Sequence, residues 1–140
     1  MRILGGRMSR DNVEIVRRGY KAFNRGDLEE MVADFAPEFE YETTGMIPGE
    51  GGVYRGPDGW REFVGWMGGE FESPRVDITE LIEVGERVLA ALTLRGYGKR
   101  SGVEASWDIW HLWTVRDGKI VHGQGFTRRE EALIATGLEA

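Results

Sequence analysis

Arg95 and Asp108 are the two residues whose charges and spacing could do acid–base chemistry together. Val88–Tyr97 and Val103–Val115 read as strands of a hairpin turning at Arg100-Ser101, and that register pairs Thr93 with Asp108 and Arg95 with Ser106. Arg95 and Asp108 are then diagonal neighbours, roughly 7–8 Å apart and within reach of a long guanidinium. A carboxylate in a mostly apolar pocket can serve as general base, its proton affinity raised by burial and lowered by the cation, while the arginine holds an enolate or carboxylate. The plainer alternative is an ion pair that settles two polar groups, or two exposed strand residues. The choice rests on which face of the strand points inward, because a shift of one residue exchanges every side chain between the faces. Composition speaks for Trp107, Ile109, Trp113 and Val115 as the inner set, which would turn Asp108 outward and leave His111 as the candidate base.

The aromatic content supplies candidate walls for a pocket. Tyr41, Trp60, Phe63, Met67, Tyr97 and Trp110 are the residues expected to line it, since apolar ligands are enclosed by such surfaces with few polar groups among them. Any one of them could equally be simple core filling. Gly123 and Gly125, read as inward-facing opposite Leu112 and Trp110, would leave room for an indole or a flat ligand. His111 and His122 become diagonal neighbours across the Asp117-Gly118 turn, but a metal needs further ligands and none is evident, so no metal site is expected. Gly49–Gly52 lacks the lysine and the strand-to-helix setting of a phosphate loop, and no cofactor is expected.

Helical and strand periods must position these residues. Asp11 with Glu14 forms a capping-box pattern ahead of Val13, Val16, Tyr20 and Phe23, and Gly26 supplies the stop. Asp27 with Glu30 repeats the cap; Leu28, Met31, Val32 and Phe35 continue a second helix to Pro37. Glu38–Thr43 alternates as a strand, a glycine-rich loop runs Gly45 to Gly52, and Pro57 opens a third helix bearing Trp60, Phe63, Val64 and Met67. Four strands in a meander follow, at Val76–Val84, Val88–Tyr97, Val103–Val115 and Ile120–Phe126, and Arg129–Ala135 closes the chain as a short helix before Gly137. Residues 1–10 read as a flexible leader to one domain over 11–140.

Composition narrows the classes. The 140 residues fit a single domain, and 18 Lys and Arg against 24 Asp and Glu leave a net charge of −6, so neither nucleic acid nor an anionic membrane is an expected partner. With no cysteine, disulfides, thiolate metal sites and a cysteine nucleophile are excluded. Met1-Arg2-Ile3-Leu4 is too short an apolar run for a signal peptide, and no stretch approaches the ~20 apolar residues of a membrane span, which points to the cytoplasm.

Tyr20-Lys-Ala-Phe-Asn-Arg-Gly-Asp27, Tyr54-Arg-Gly-Pro57, Gly98-Lys-Arg-Ser-Gly102, Trp113-Thr-Val-Arg-Asp-Gly-Lys-Ile120 and Glu131-Ala-Leu-Ile-Ala-Thr-Gly-Leu138 resemble the SnoaL-like members of the NTF2-like superfamily. That superfamily contains ketosteroid isomerase, limonene epoxide hydrolase, scytalone dehydratase and polyketide cyclases. The resemblance implies an α+β cone, a curved antiparallel sheet wrapped around three helices with a central pocket for a hydrophobic small molecule, and commonly a homodimer. It implies either a cofactor-independent isomerase, cyclase, dehydratase or hydrolase, or a non-catalytic ligand-binding or accessory domain. Carried over residue by residue, the isomerase's hydroxyl-donating tyrosine falls on Gly19, its aspartate base on Thr43 and its second acid on Trp110, and the epoxide hydrolases' final acid falls on Gly125. The family register also places Glu104, Ser106, Asp108, Trp110, Leu112 and Thr114 inside, the parity adopted here. Trp107, Ile109, His111, Trp113, His122, Gln124 and Phe126 then form the outer sheet face, where a partner subunit would cover them.

Overall fold

The computed structural model describes residues 7–43, 52–69 and 71–137. Its elements, in chain order, are α1 (Arg7–Asn24), α2 (Leu28–Val32), β1 (Phe35–Thr43), β2 (Gly52–Arg55), α3 (Gly56–Gly68), β3 (Phe71–Val84), β4 (Arg87–Gly98), β5 (Glu104–Arg116), β6 (Lys119–Phe126) and α4 (Arg129–Thr136). The strands form one curved, open sheet in the order β2-β1-β6-β5-β4-β3. Four of its pairings are antiparallel, whereas β1 runs parallel to β6, so the sheet is mixed.

Local chemistry explains most of these elements. Asp27 caps α2 by accepting a hydrogen bond from the Glu30 amide at 3.0 Å. The Asp117-Gly118 turn takes φ of 50° and 75°, the left-handed pair that a two-residue hairpin needs to match strand twist. Asn24 ends α1 against the sheet: its amide donates to the Val76 carbonyl at 2.8 Å and accepts from the Val76 N–H at 2.9 Å.

Several element boundaries differ from the sequence expectation, and β3 starts at Phe71 instead of Val76. Asp11 lies within α1 instead of capping it. The second helix stops at Val32, and Phe35 and Ala36 belong to β1, because the Ile120 amide donates to the Asp34 carbonyl at 2.8 Å and draws the chain into the parallel pairing with β6. Pro37 is tolerated inside that strand because the ladder is interrupted between Phe35 and Glu40. Gly52, the last residue of the expected glycine-rich loop, opens β2 (Gly52–Arg55), which pairs with β1, and the rest of that loop lies outside the described residues.

The hairpin register of β4 and β5 is the expected one, Thr93 opposite Asp108 and Arg95 opposite Ser106. The facing is reversed. Ile109, His111, Trp113 and Val115 are buried in the main core with α1 and α3, and Trp107 packs against it. The even-numbered side looks outward, and its apolar members Trp110 and Leu112 are covered with Leu89 and Phe126 by Ala132 and Leu133 of α4. Both faces of the sheet are therefore apolar in the middle, as an open sheet covered on both sides can be. The cover of the outer face includes a helix of the same chain.

Candidate functional site

Between β6 and β5 the register slips by one residue: Val115 pairs with Ile120 but Thr114 with His122, leaving Val121 as the extra residue of a bulge. The slip sets Gly123 opposite Trp113 and Gly125 opposite His111 on the inner face. A Cβ on Gly123 would lie 2.5 Å from Trp113 Cζ3 and 3.1 Å from Tyr41 Cδ1, so only glycine lets the two rings lean together over the sheet. Tyr41 and Trp113 stack across it with ring centroids 6.1 Å apart. The same slip sends His122 to the other face, where its Nε2 lies 2.8 Å from Glu42 Oε2. The two histidines expected side by side therefore sit on opposite faces of the sheet.

His111 is the polar centre of the interior. Tyr20 reaches down from α1 and its hydroxyl lies 2.7 Å from His111 Nδ1, while the Tyr41 hydroxyl lies 3.2 Å from His111 Nε2. Trp113 Nε1 donates to the Tyr20 oxygen at 2.7 Å. Because an indole only donates, Tyr20 accepts from Trp113 and its own hydrogen can go to Nδ1; the imidazole then carries its hydrogen on Nε2 and donates to Tyr41. Burial pushes the His111 pKa down to about 3. Burial also pushes the Tyr20 hydroxyl well above the usual phenol range, with the Trp113 hydrogen bond opposing it and Tyr41 adding to it. The cluster is a chain of neutral groups, and desolvation is what keeps it neutral.

Beside the cluster lies a cavity of about 30 Å³, walled by Tyr20, Phe23 and Met31 from the first two helices, Trp60, Phe63 and Met67 from α3, and Val76, Leu94, Trp107, Ile109 and His111 from the sheet. No carboxylate is among the described residues that line it. Of the residues expected to line a pocket, Trp60, Phe63 and Met67 are in the wall of this cavity, and Tyr41 touches the cluster that forms its polar side.

The other expected site residues are elsewhere. Asp108 is exposed on the outer face, where its Oδ1 accepts from Thr93 Oγ1 at 3.2 Å. Arg95, also exposed, pairs with Asp77 at 2.9 Å instead of Asp108. Trp110 packs on the outer cluster beneath α4. Tyr97 is half exposed and borders an open surface groove with Phe23, Val64 and Arg75. Trp107, Ile109, His111 and Trp113, assigned above to a subunit contact, are interior residues, and Phe126 is covered by α4. Tyr20 and His111 were the residues to find, and the apolar odd-numbered set of β5 was the signal for them. Among the described residues no three His, Asp or Glu side chains gather as metal ligands, and no helix is long and apolar enough to cross a membrane.

Known structures share this architecture. An NTF2-like protein of unknown function from Burkholderia pseudomallei is 29% identical over 89% of this chain and 95% of its own, with a TM-score of 0.76. TerC, co-crystallised with polyporic acid, is 26% identical over 91% of this chain and 98% of its own, with a TM-score of 0.76. A proposed SnoaL-like polyketide cyclase from Jannaschia sp. CCS1 shares the fold over 98% of this chain and 97% of its own at 18% identity and a TM-score of 0.76. No curated protein matches the chain. The SnoaL-like domain family matches residues 16–123, which takes in Tyr20, the cavity walls, His111 and the Val121 bulge. On that match, and with the cone fold it requires, the chain belongs to the SnoaL-like domain family of the NTF2-like superfamily.

Proposed function

We propose that the protein binds a small, largely apolar molecule in the cone, against the Tyr20–His111–Tyr41 cluster. The observation that carries this reading is the character of the cavity: aromatic and aliphatic walls around one neutral, hydrogen-bonded cluster, with no carboxylate among its described lining residues. Such walls reward apolar surface and the few polar groups orient it. At about 30 Å³ the cavity is far below the ~300 Å³ of a typical ligand pocket, so occupancy requires side chains to move. Met31 and Met67 are the walls suited to that, being unbranched and adaptable.

Acid–base catalysis of the isomerase or cyclase type is the second reading, favoured by the position of His111 in the cavity wall with a tyrosine on each ring nitrogen. Taking up a proton would place an uncompensated cation in that dry interior, and burial opposes it by holding the His111 pKa down to about 3. The binding reading is therefore the stronger. Titration calorimetry with cyclic ketones and with polyporic acid, the compound found with TerC, tests both readings. Saturable binding without turnover is the expected result. A turnover rate abolished in His111→Gln would transfer the assignment to catalysis, and no heat from any ligand would sink the binding reading.

A further inference from the structure

Phe23 is a wall of two spaces. It lines the cavity in the cone, and it also lines an open groove of about 660 Å³ outside it. The helices around it continue from one space into the other. On α2, Leu28 lines the groove and Met31 the cavity; on α3 the pair is Val64 and Met67. Residues three apart are neighbours along a helix face, so the groove is the outward continuation of the cavity. Asn24, in the groove, is hydrogen-bonded to both backbone polar groups of Val76, in the cavity wall. Those bonds fix the end of α1, and the ring of Phe23 is what remains to turn. Across the groove the β3–β4 ladder shifts between Glu72 and Arg75, where Ser73 takes φ of 52°, and a bulge of this kind bends the edge strand.

We propose that groove and cavity are the two halves of one binding site with Phe23 as the partition between them, and that the occupant is an elongated apolar acid, its hydrocarbon passing Phe23 into the cone and its carboxylate held outside by Arg25 and Arg75. The inference rests on the binding reading above and adds the shape and charge of the ligand. Apolar surface meets water along the groove, since Phe23, Leu28 and Val64 are only partly buried and Tyr97 is 46% exposed. The charge of the lining is one-sided. Arg25 and Arg75 line the groove and no carboxylate does among the described residues, in a chain of net charge −6. Asp77 serves two arginines, Arg95 at 2.9 Å and Arg75 at 3.5 Å, which leaves a positive charge in surplus at the groove's edge. Arg25 pairs with Glu30, and the side chains of Arg25 and Arg75 are both more than half exposed. Exposed ion pairs hold weakly, so both guanidiniums are open to the anion of a ligand. No lysine or arginine is among the described residues that line the cavity, and an unpaired charge is costly to bury, so the hydrocarbon end enters. The groove also resolves the mismatch of size, because it lies within the ~300–1,000 Å³ of ligand sites and the cavity alone does not.

Decanoate and decan-1-ol, which share a chain length and differ in charge, form the test pair. NMR of the methyl groups reads both spaces in one titration, Leu28 and Val64 for the groove and Met67 and Ile109 for the cavity. In the wild type, decanoate is expected to move both sets with one saturation point. In the variant carrying Arg25→Gln and Arg75→Gln, the decanoate-to-decanol affinity ratio is expected to fall about fivefold, the worth of two exposed charge contacts. Phe23→Ala is expected to speed the exchange of decanoate several-fold, read from the line shapes of the same methyls; an unchanged rate would remove Phe23 as the partition. The wild-type titration stands even if a variant fails the thermal melt that checks its fold. Movement of the cavity methyls alone, or of both sets with an unchanged ratio in the double variant, overturns this inference and leaves the binding reading in place. Movement of the groove methyls alone shows a surface site cut off from the cone and overturns it too. If neither probe moves either set up to its solubility, this inference fails alone where cyclic ketones still give heat of binding, and together with the binding reading where they give none.

Discussion

His111 leaves water on folding without gaining an anion to hold its proton, so its pKa drops from an unfolded value near 6.5 to about 3. The unfolded chain therefore binds the proton first as pH falls. Stability from this group is complete above about pH 6.5 and is lost progressively down to about pH 3, with a slope approaching 1.4 kcal/mol per pH unit. His111→Gln, whose amide can still meet the two tyrosines, is expected to flatten the dependence between pH 6.5 and 5 in urea unfolding; a slope equal to wild type would disprove the buried neutral imidazole. Asp108→Asn is expected to change stability by less than about 0.5 kcal/mol and to leave ligand binding as it was, because the carboxylate is exposed and meets Thr93. Charge drew attention to Asp108 and Arg95 in the sequence, and their pairing register was legible there. Their facing was not, because β5 carries large apolar side chains on both sides, Trp107 and Trp113 on one and Trp110 and Leu112 on the other.

Elements decide what those residues meet, and the bulge at Val121 is the one on which the site depends. Were the ladder regular through Val121, His122, Gln124 and Phe126 would turn inward in place of Gly123 and Gly125; deleting Val121 removes the extra residue itself and leaves Gly123 opposite Trp113 and Gly125 opposite His111. The expected outcome is a cooperative thermal unfolding by circular dichroism, and loss of cooperativity would refute Val121 as the extra residue of the bulge. Gly123→Ala is the gentler test. Its methyl would lie at 2.5 Å from a buried indole carbon and is expected to cost about 1–3 kcal/mol in urea unfolding. The inward glycines were readable in the sequence, but their partners were not, since a bulge has no side-chain signature of its own. The turns at Gly85-Glu86 and Asp117-Gly118, α3 and α4 were legible because each is set by residues close in sequence. The end of α2 was not, because its competitor is a strand pairing with residues near position 120.

At the scale of the molecule, α4 closes the outer face as the helices α1 to α3 fill the inner one. Arg87 secures it, donating to the carbonyls of Ala135 and Thr136 at 2.8 and 2.9 Å, a cation placed at the negative end of the helix. Arg87→Ala is expected to cost about 1–2 kcal/mol and to raise hydrogen exchange in α4 while leaving α1 protected; uniform loss of protection would show that α4 is not a separate unit. The parallel seam of β1 with β6 has another kind of consequence. Glu42 and His122 meet across 80 residues, and Tyr20 meets His111 across 91. A nascent chain can build α1 and the β3–β4 hairpin early, but the seam and the polar cluster wait until β6 has left the ribosome. Loop closure over such distances is slow, and until then the apolar faces of β5 stand uncovered. The last strand made is the one that joins β1 to the rest of the sheet and so brings Tyr41 to His111, and a chain cut short by translation arrest is a client for chaperones and not a weaker form of the protein.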